Sequence, residues 1–387
     1  MRRLALPERP DWRRKAEAYG FPFHSAGGTI YWDETVAWSF TLAEIEDGIE
    51  APTGELEQLC LAFVEDVALK SSPVMTKLGV PEPFHGFVRD SWAKGDRNLY
   101  GRLDLAYDGS GPAKLLEYNA DTPTSLFEAS VFQWSWLEDQ IAAGVLPKDA
   151  DQFNSLHERL VQAFTQIRGG EPFMLHCAAV EDSVEDRATV SYLADCARQA
   201  GHQTRELAMS QIGVAADGQF TGLHDEYIDV LFKLYPWEWL FAEQFAWHLP
   251  QSRTQFIEPP WKALLSTKAL LPLLWEMAPN HPNLLEAYFA DDPRAGRLGD
   301  RVEKPIHSRE GANIRVIRAG SEAQATGGDY GAAGVVQALA PTATFPGGHA
   351  VIGSWLVASQ PAGIGIREDE GLVTRDSARF VPHVIDG

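Results

Sequence analysis

The feature that most restricts the fold of this sequence is a pair of alternating segments on either side of a Gly-Ser-Gly-Pro run at 109–112. Arg102 and Asp104 are two positions apart, as are Glu117 and Asn119, and apolar residues lie between the members of each pair. Successive side chains of a strand point to opposite faces, so each pair shares one face. The segment therefore predicts a β-hairpin with a four-residue loop and one strongly polar face.

The position of the turn also predicts the register of the hairpin. Asp104 then lies opposite Glu117 and Arg102 opposite Asn119, with Cβ atoms about 4.5–5.5 Å apart. Two facing carboxylates are destabilising unless a cation neutralises them. Carboxylate and carboxamide oxygens suit a hard cation, and a few protein ligands combined with substrate phosphates are typical of Mg²⁺. The alternative is a solvated hairpin face whose ion pair contributes about 0–1 kcal/mol.

Residues 302–314 predict a second polar site. A strand delivers Lys304, and a turn of small residues around Arg309 then exposes backbone N–H groups. Such a turn can cover a polyphosphate, and Arg102 can stabilise negative charge that develops during phosphoryl or acyl transfer. The segment is not a Walker A motif, and a plain surface turn is the alternative. Lys268 is a further candidate, although a lysine on an apolar predicted helix usually extends to water.

The remaining chain alternates between helical and extended patterns. Helices are predicted at 11–20, 54–70 and 125–145, and buried strands at 174–180 and 227–235. A helix that Gly201 stops lies between the two strands, which predicts a small α/β lobe with a parallel sheet. A helix after residue 262 precedes strands and Gly-rich turns. The order of elements predicts an α+β enzyme with several lobes.

Composition narrows the class of partner. The chain has 33 Lys and Arg against 54 Asp and Glu, a net charge of -21, so it repels nucleic acid and anionic membranes. An acidic surface can also attract basic amines, and the alternative is that the charge only keeps the protein soluble. Three cysteines without paired spacing predict a reducing compartment. The apolar runs before Pro7 and at 269–275 are too short for a signal peptide or a membrane span. We therefore expect a cytoplasmic protein.

Four longer segments, taken together, carry a resemblance to a known family. They are RLDLAYDGSGPAKLLEYNADTPTSL, STKALLPLLWEMAPNHPNLL, VEKPIHSREGANI and IGIREDEGLVT. From about Arg9 to the C-terminus the chain resembles the glutathionylspermidine synthase family, and most closely its stand-alone bacterial acid–amine ligases. The resemblance implies an α+β, circularly permuted, glutathione-synthetase-like ATP-grasp fold with a small α/β pre-ATP-grasp lobe. It also implies that ATP phosphorylates a carboxylate and that an amine attacks the acyl phosphate, giving an amide, ADP and phosphate.

The same resemblance assigns roles to individual residues. The residues that match the family's Mg²⁺ ligands are Asp104, Glu117 and Asn119. Those that match its catalytic arginines are Arg102, Arg309 and Arg367. The expected ATP contacts are Arg102, Leu103, Asp104, Lys268, Lys304, Ser308, Arg309, Glu310, Gly311, Gln337, Leu372, Val373 and Thr374. The expected substrate contacts are Thr122, Thr124, Glu185 and Asp186.

The substrates are defined only by class. The resemblance implies small-molecule acid and amine substrates, the acid being for example a peptide such as glutathione. Leu234 stands where the family has a threonine, and Arg379 where an acidic residue near the polyamine is expected. An arginine there would repel a polyamine, which argues against spermidine. No amidase segment precedes residue 1, so hydrolysis of the product is not expected, and a homodimer is compatible with the sequence.

We expect the whole chain, 1–387, to form one synthetase domain. Its expected sub-lobes are an N-terminal helical region at 1–95, a metal-binding hairpin and helix at 96–165, an α/β substrate lobe at 166–262 and a nucleotide-binding region at 263–387. Two other functions remain open. One is a nucleotide-binding ATP-grasp scaffold without catalysis, and the other is a carbohydrate-binding hydrolase that uses aromatic clusters such as 134–136. Tryptophans in a chain of this size are more often core residues.

Overall fold

A computed structural model describes residues 1–26 and 28–386. Its helices are α1 (Trp12–Ala18), α2 (Leu42–Ile45), α3 (Ala51–Phe63), α4 (Ser72–Lys77), α5 (His85–Ala93), α6 (Gln133–Ala142), α7 (Leu156–Gln166), α8 (Val184–Gln199), α9 (Trp237–Leu240) and α10 (Leu270–Met277). Its strands are β1 (Arg2–Ala5), β2 (Ser25–Ala26), β3 (Thr29–Ile30), β4 (Val36–Phe40), β5 (Tyr100–Ala106), β6 (Lys114–Asn119), β7 (Met174–Ala179), β8 (Gln203–Ala208), β9 (Gly213–Val214), β10 (Phe220–Thr221), β11 (Val230–Leu234), β12 (Gln255–Ile257), β13 (Ala287–Phe289), β14 (Arg301–Lys304), β15 (Arg315–Arg318), β16 (Ser321–Ala325), β17 (Val335–Ala338), β18 (Ala343–Phe345), β19 (Gly348–Val357), β20 (Gln360–Asp369), β21 (Arg379–Val381) and β22 (His383–Ile385).

Two antiparallel sheets frame the centre of the molecule. The first has the order β21-β20-β19-β5-β6, with β18 paired to β19. The second has the order β13-β17-β14-β15-β16. Between them these sheets contain the predicted hairpin and the strand that carries Lys304.

The predicted hairpin has the predicted register. Asp104 of β5 lies opposite Glu117 of β6, and Arg102 lies opposite Asn119. A register shift follows immediately, between Asp104 and Leu105. This confirms the arrangement of the four polar residues, because the alternation of a strand leaves their side chains on one face.

The predicted four-residue loop of the hairpin is wrong. β5 ends at Ala106 and β6 begins at Lys114, so residues 107–113 connect them. Pairing continues past the register shift to Ala106 and Lys114, and Asp108 then closes a local turn by accepting hydrogen bonds from the backbone N–H and the hydroxyl of Ser110. The longer connection lies away from the polar face and leaves it intact.

The predicted α/β lobe is confirmed. Four parallel strands in the order β12-β11-β7-β8 form its sheet, and α8 packs against β7 and β8. Every residue of β11 is buried, as expected for a strand covered on both faces. Gly201 follows α8 with φ +91°, a conformation that favours glycine and ends the helix.

The helical predictions also hold in outline. α2, a π-helical turn at Glu46–Glu50, α3 and a second π turn at Val64–Ala68 follow one another directly, which accounts for the helix predicted at 54–70. The helix predicted at 125–145 comprises a π turn at Glu128–Phe132 and α6. Trp136 and Trp237 are fully buried, as core residues would be. Over the described residues, no helix combines the length and the apolar character needed to cross a bilayer.

Candidate active site

A cleft lies between the two antiparallel sheets. The hairpin strands β5 and β6 and strand β20 form one wall, and β14, β15 and β17 form the other. The cleft brings together most of the predicted site residues: Arg102, Asp104, Glu117, Asn119, Thr122, Thr124, Lys268, Lys304, Ser308, Arg309, Glu310, Gly311, Gln337, Arg367, Leu372, Val373 and Thr374. Residues far apart in the chain therefore share one site because the two sheets face each other.

Asp104 is the centre of the polar end of the cleft. Its carboxylate accepts two hydrogen bonds from Arg102, at 2.6 Å from Nε and 3.1 Å from Nη2. Arg367 of β20 donates a third, at 2.8 Å. Asp104 is 3% exposed, so its negative charge is balanced almost wholly by these two guanidinium groups. A ligand that draws the arginines away would leave this carboxylate free to bind a cation.

Glu117 is held by two lysines from the opposite side of the cleft. Lys268 Nζ lies 3.0 Å from Glu117 Oε2, and Lys304 of β14 is close enough to act on the same carboxylate. Burial raises the pKa of Glu117, but the charges of Lys268 and Lys304 outweigh it and hold this pKa far below its ordinary value. Burial lowers the pKa of Lys304 to about 8, although Glu117 acts in the opposite direction.

Lys268 does not occupy the predicted position. It lies in the turn that precedes α10 rather than within a helix, and its side chain is 12% exposed. Besides the ion pair with Glu117, it donates a 2.7 Å hydrogen bond to the backbone oxygen of Ser308. Lys268 therefore lines the cleft, and the alternative that it extends to water is wrong, since a carboxylate and a carbonyl oxygen in the cleft replace its solvation.

The oxygen atoms of this end suit Mg²⁺ shared with a phosphate. Asn119 Nδ2 lies 3.3 Å from Asp104 Oδ2 and 3.4 Å from Glu117 Oε1, so the two carboxylates and the carboxamide converge. Over residues 1–26 and 28–386, no three His, Cys, Asp or Glu side chains group in a way that would hold a metal by themselves. Two carboxylates and an amide oxygen that need further oxygen ligands match a cation delivered with phosphates.

The turn at 308–311 covers the polar end. Arg309 Nη1 donates a 2.8 Å hydrogen bond to Thr122 Oγ1, and Nη2 lies 3.0 Å from Glu238 Oε1 of α9. Gly311 has φ +68°, and a Cβ there would lie 2.7 Å from the backbone oxygen of Thr374, so only glycine fits. The buried Ser308 hydroxyl finds no hydrogen-bond partner among the described residues, which leaves it available to a ligand in the cleft.

The other end of the cleft is apolar. A small hydrophobic cluster of Ile314, Val316 and Val373 closes it, with Val302, Leu339 and Leu372 packed alongside. Between the two ends, Gln337 accepts a 2.7 Å hydrogen bond from Lys304 Nζ and donates to the backbone oxygen of Leu115. The cleft is therefore apolar at one end and strongly charged at the other, as a nucleotide is. Of the residues at the apolar end, the sequence analysis predicted Leu372 and Val373 as ATP contacts and missed the others.

Three predicted contacts lie outside the cleft. Leu103 is fully buried on the opposite face of β5, in the hydrophobic core. Glu185 and Asp186 lie in the first turn of α8, and Glu185 lines a second cavity together with Tyr31 and Asp376. Thr124 lines the cleft and lies near both Arg102 and Glu185: its carbonyl oxygen accepts a 2.7 Å hydrogen bond from Arg102, and its hydroxyl acts to lower the pKa of Glu185.

The second cavity is acidic. Burial raises the pKa values of Glu185 and Asp186, and the charges of Asp186, Asp376 and Glu310 raise that of Glu185 further. Carboxylates that repel one another at the wall of a cavity favour a cationic ligand. Sequence reasoning missed Asp376, because nothing in its local pattern distinguishes it from a surface residue.

Arg379 does not border this cavity. It lies opposite Glu368 in the pairing of β20 with β21, on the face of the sheet away from Arg367. Its guanidinium pairs with Asp33 at 2.8 Å and with Glu368 at 3.1 Å. The charge of Arg379 is therefore balanced by two carboxylates outside this cavity, and the residue found beside Glu185 is the acidic Asp376. Leu234 is a core residue of β11.

A buried ion pair connects the hairpin to the α/β lobe. Asp121, just after β6, lies 2.8 Å from Lys233 of β11, and both side chains are 0% exposed. Asp121 also accepts a hydrogen bond from the backbone N–H of Trp237, which begins α9. Burial raises the pKa of Asp121 and lowers that of Lys233 in spite of the pairing. The pair therefore serves to hold the hairpin in place against the α/β lobe more than to stabilise the fold.

Comparison with known proteins identifies the family. Residues 3–386 match the family described as glutathionylspermidine synthase preATP-grasp, which is almost the whole chain. The chain belongs to the glutathionylspermidine synthase family. A Haemophilus influenzae protein named "Putative acid--amine ligase" is 42% identical, over 98% of each chain. The predicted family is confirmed.

More distant members of the glutathionylspermidine synthase family are longer than this chain. The bifunctional glutathionylspermidine synthetase/amidase of Escherichia coli is 26% identical over 89% of this chain and 59% of its own length. Trypanothione synthetase of Crithidia fasciculata is 25% identical over 76% of this chain and 48% of its own length. The match therefore spans only about half of each of these two proteins.

A solved structure supports the fold. A glutathione synthetase-like effector from Globodera pallida superposes with a TM-score of 0.57 at 10% identity, covering 99% of this chain and 100% of its own. At this identity the likeness concerns the fold alone. The predicted α+β, glutathione-synthetase-like ATP-grasp fold is confirmed.

Proposed function

We propose that this protein joins a carboxylic acid to an amine through an acyl-phosphate intermediate, at the cleft between its two antiparallel sheets. As a member of the glutathionylspermidine synthase family, it is an ATP-dependent, amide-forming ligase. The observation that carries the proposal is the charged end of the cleft. There, Arg102, Lys268, Lys304, Arg309 and Arg367 surround the facing carboxylates of Asp104 and Glu117.

ATP fits this cleft in one orientation. The apolar end around Val316 and Val373 takes the adenine, and the cationic end takes the triphosphate. Gln337, which bridges the sheets beside Lys304, offers an amide to the nucleotide between these ends. Ser308 and the N–H groups of the turn at 308–311 approach the phosphates, where an unpartnered hydroxyl gains a hydrogen-bond acceptor.

Asp104, Glu117 and Asn119 would hold Mg²⁺, which would supply positive charge for phosphoryl transfer. As the phosphates enter, Arg102 and Arg367 turn from Asp104 towards the transferring phosphoryl group and stabilise its developing charge. Arg309 is anchored near Thr122 and so carries its charge to the side where the acid would lie. We propose Thr122 and Thr124 as the hydrogen-bonding contacts of that acid, for example a peptide such as glutathione.

The acidic second cavity is the proposed binding site of the amine. Glu185, Asp186 and Asp376 attract an aliphatic ammonium group, which then lies near Thr124. The acyl phosphate forms on the other side of Thr124, near Arg102. A small cationic amine therefore approaches the reacting carbon from the acidic side, while the phosphates stay on the basic side.

Thermal unfolding with nucleotide tests the binding half of this proposal. We expect ATP with Mg²⁺ to raise the melting temperature, because a ligand that binds only the folded state stabilises it. In Asp104→Asn the effect of ATP should no longer depend on Mg²⁺, since a metal ligand is lost. The matched control is Asp108→Asn in the exposed hairpin turn, which should keep the Mg²⁺ dependence.

Product formation tests the catalytic half. The protein is incubated with ATP, Mg²⁺ and a library of acids and amines, and ADP release and products are measured, the latter by mass spectrometry. We expect ADP release that requires both an acid and an amine. Nucleotide binding without any acid-dependent turnover would favour the alternative of a noncatalytic ATP-grasp scaffold. A stabilising effect of oligosaccharides instead of ATP would favour the hydrolase.

A further inference from the structure

A buried carboxylate behind the second cavity has no part in the chemistry described so far. Glu128 lies at the start of the π-helical turn Glu128–Phe132 and is 1% exposed. Its Oε1 accepts a 2.7 Å hydrogen bond from the Tyr31 hydroxyl, whose oxygen also lies 2.9 Å from Ser125 Oγ. Tyr31 lines the cavity and Glu128 does not, so the phenol connects the cavity with the carboxylate.

The surroundings of Glu128 give it no counter-ion. Among the described residues, no lysine, arginine or histidine lies within ion-pair distance of its carboxylate. The groups that act on it are Glu185, Tyr31 and, more weakly, Arg102. Burial and the charge of Glu185 raise the pKa of Glu128 to about 8. Burying a carboxyl group without a counter-ion lowers the stability of the folded protein, so the position of Glu128 points to a role in function.

Amide formation creates a need for a proton acceptor at this place. An aliphatic amine enters the acidic cavity as an ammonium ion, which has no lone pair and cannot attack. One proton must leave before the carbon–nitrogen bond forms. A second leaves the nitrogen as the carbon–oxygen bond of the acyl phosphate breaks, and the departing phosphate can take it together with the bonding electron pair.

We propose that Tyr31 and Glu128 accept the first of these protons, an inference that rests on the proposed ligase function. The Tyr31 oxygen takes a proton from the ammonium group while the phenol gives its own proton to Glu128 Oε1. Tyr31 is neutral before and after the transfer, and Glu128 changes from carboxylate to carboxylic acid. After the amide leaves, Glu128 returns the proton to solvent by the same route.

The electrostatics suit this cycle. A general base works best when its pKa lies near the operating pH, and Glu128 meets that condition although an ordinary glutamate does not. A bound ammonium ion near Glu185 lowers the pKa of Glu128, so the carboxylate is formed when the amine is present. As the proton moves to Glu128, the nitrogen becomes neutral and nucleophilic.

Two amines of different basicity test this role. The protein is given ATP, Mg²⁺ and the acid that supports ADP release in the library incubation, with either 1,4-diaminobutane, which is protonated at neutral pH, or hydroxylamine, which is not. Hydroxylamine traps an acyl phosphate as a hydroxamate without needing a base. The variants are Glu128→Gln and Tyr31→Phe, and the matched controls are Glu138→Gln and Tyr19→Phe at exposed positions.

We expect both variants to form hydroxamate at the wild-type rate. Their rate with 1,4-diaminobutane at neutral pH should fall by roughly 10²-fold, in the range of a lost general base, and should recover as rising pH supplies free amine. An unchanged diamine rate, or an equal loss with both amines, would overturn the inference and leave the ligase function standing. A wild-type protein that forms no hydroxamate would overturn the proposed function and this inference together.

Discussion

Arg102 lies between the proposed metal ligand Asp104 and the proposed acid contact Thr124. It is 6% exposed, binds the Asp104 carboxylate through two nitrogens and reaches the Thr124 carbonyl oxygen with the third. The opposite strand makes room for it, because a Cβ on Gly353 would lie 2.7 Å from Arg102 Cδ. The guanidinium is thus held next to the cleft before the substrates arrive, and it only has to turn from Asp104 to stabilise charge on the transferring phosphoryl group.

Arg102→Ala should therefore lower kcat by roughly 10²–10³, the effect of losing one electrostatic donor to the transition state, with little change in the affinity for ATP. Arg97→Ala, at an exposed position just before the same strand, is the matched control. Steady-state kinetics and nucleotide titration separate the two effects. A wild-type kcat in Arg102→Ala would exclude the proposed role.

Glu128 predicts a pH dependence of stability. Its folded pKa of about 8 lies above the ordinary value of roughly 4.3, so the unfolded chain ionises it first as pH rises. The wild-type protein then loses stability between about pH 4 and pH 8 through this group. Glu128→Gln removes the loss, so its melting temperature should gain on wild type as pH rises through that window. A difference that stays constant with pH would contradict the raised pKa.

At the residue scale, the sequence predicted those positions whose partners are close along the chain. Arg102, Asp104, Glu117 and Asn119 were found because they lie on two strands that follow each other in the chain and because strand alternation places each pair on one face. Lys268 was misplaced because its position depends on Glu117 and on the Ser308 carbonyl, which belong to other elements. Glu128 and Tyr31 gave no signal, since only the folded chain brings the carboxylate and the phenol together.

At the scale of elements, the hairpin is joined to α9 by the Asp121–Lys233 pair. α9 in turn presents Glu238 to Arg309, so this buried pair helps to set the turn at 308–311. The sequence predicted the parallel sheet and the hairpin separately, because each has its own alternation. It did not predict how the two are joined, because a buried ion pair between distant residues leaves no periodic pattern.

Asp121→Asn tests this connection. Leaving the Lys233 charge buried without its partner should reduce the free energy of unfolding by about 3–5 kcal/mol. The control is Asp66→Asn, which breaks an exposed pair with Lys70 and should change it by no more than about 1 kcal/mol. Urea unfolding measures both. Equal effects of the two substitutions would show that the buried pair has no special role.

At the scale of the whole molecule, charge is distributed unevenly. The chain carries a net charge of -21, yet five cationic side chains meet in one cleft, with the acidic second cavity next to it. A negative surface around a basic cleft admits few polyanions other than those that fit, and the acidic cavity attracts cations. The composition predicted the attraction of amines but gave no indication of the basic cleft, because that cleft forms only when the two sheets close on each other.

The transfer of oxygen from acid to phosphate tests the acyl-phosphate route most directly. Glutathione with ¹⁸O in its carboxylates is incubated with the protein, ATP, Mg²⁺ and 1,4-diaminobutane, and the inorganic phosphate is analysed by mass spectrometry. If the carboxylate attacks ATP and the amine then displaces phosphate, the released phosphate carries ¹⁸O from the acid. Amide and ADP formed together with unlabelled phosphate would contradict this account.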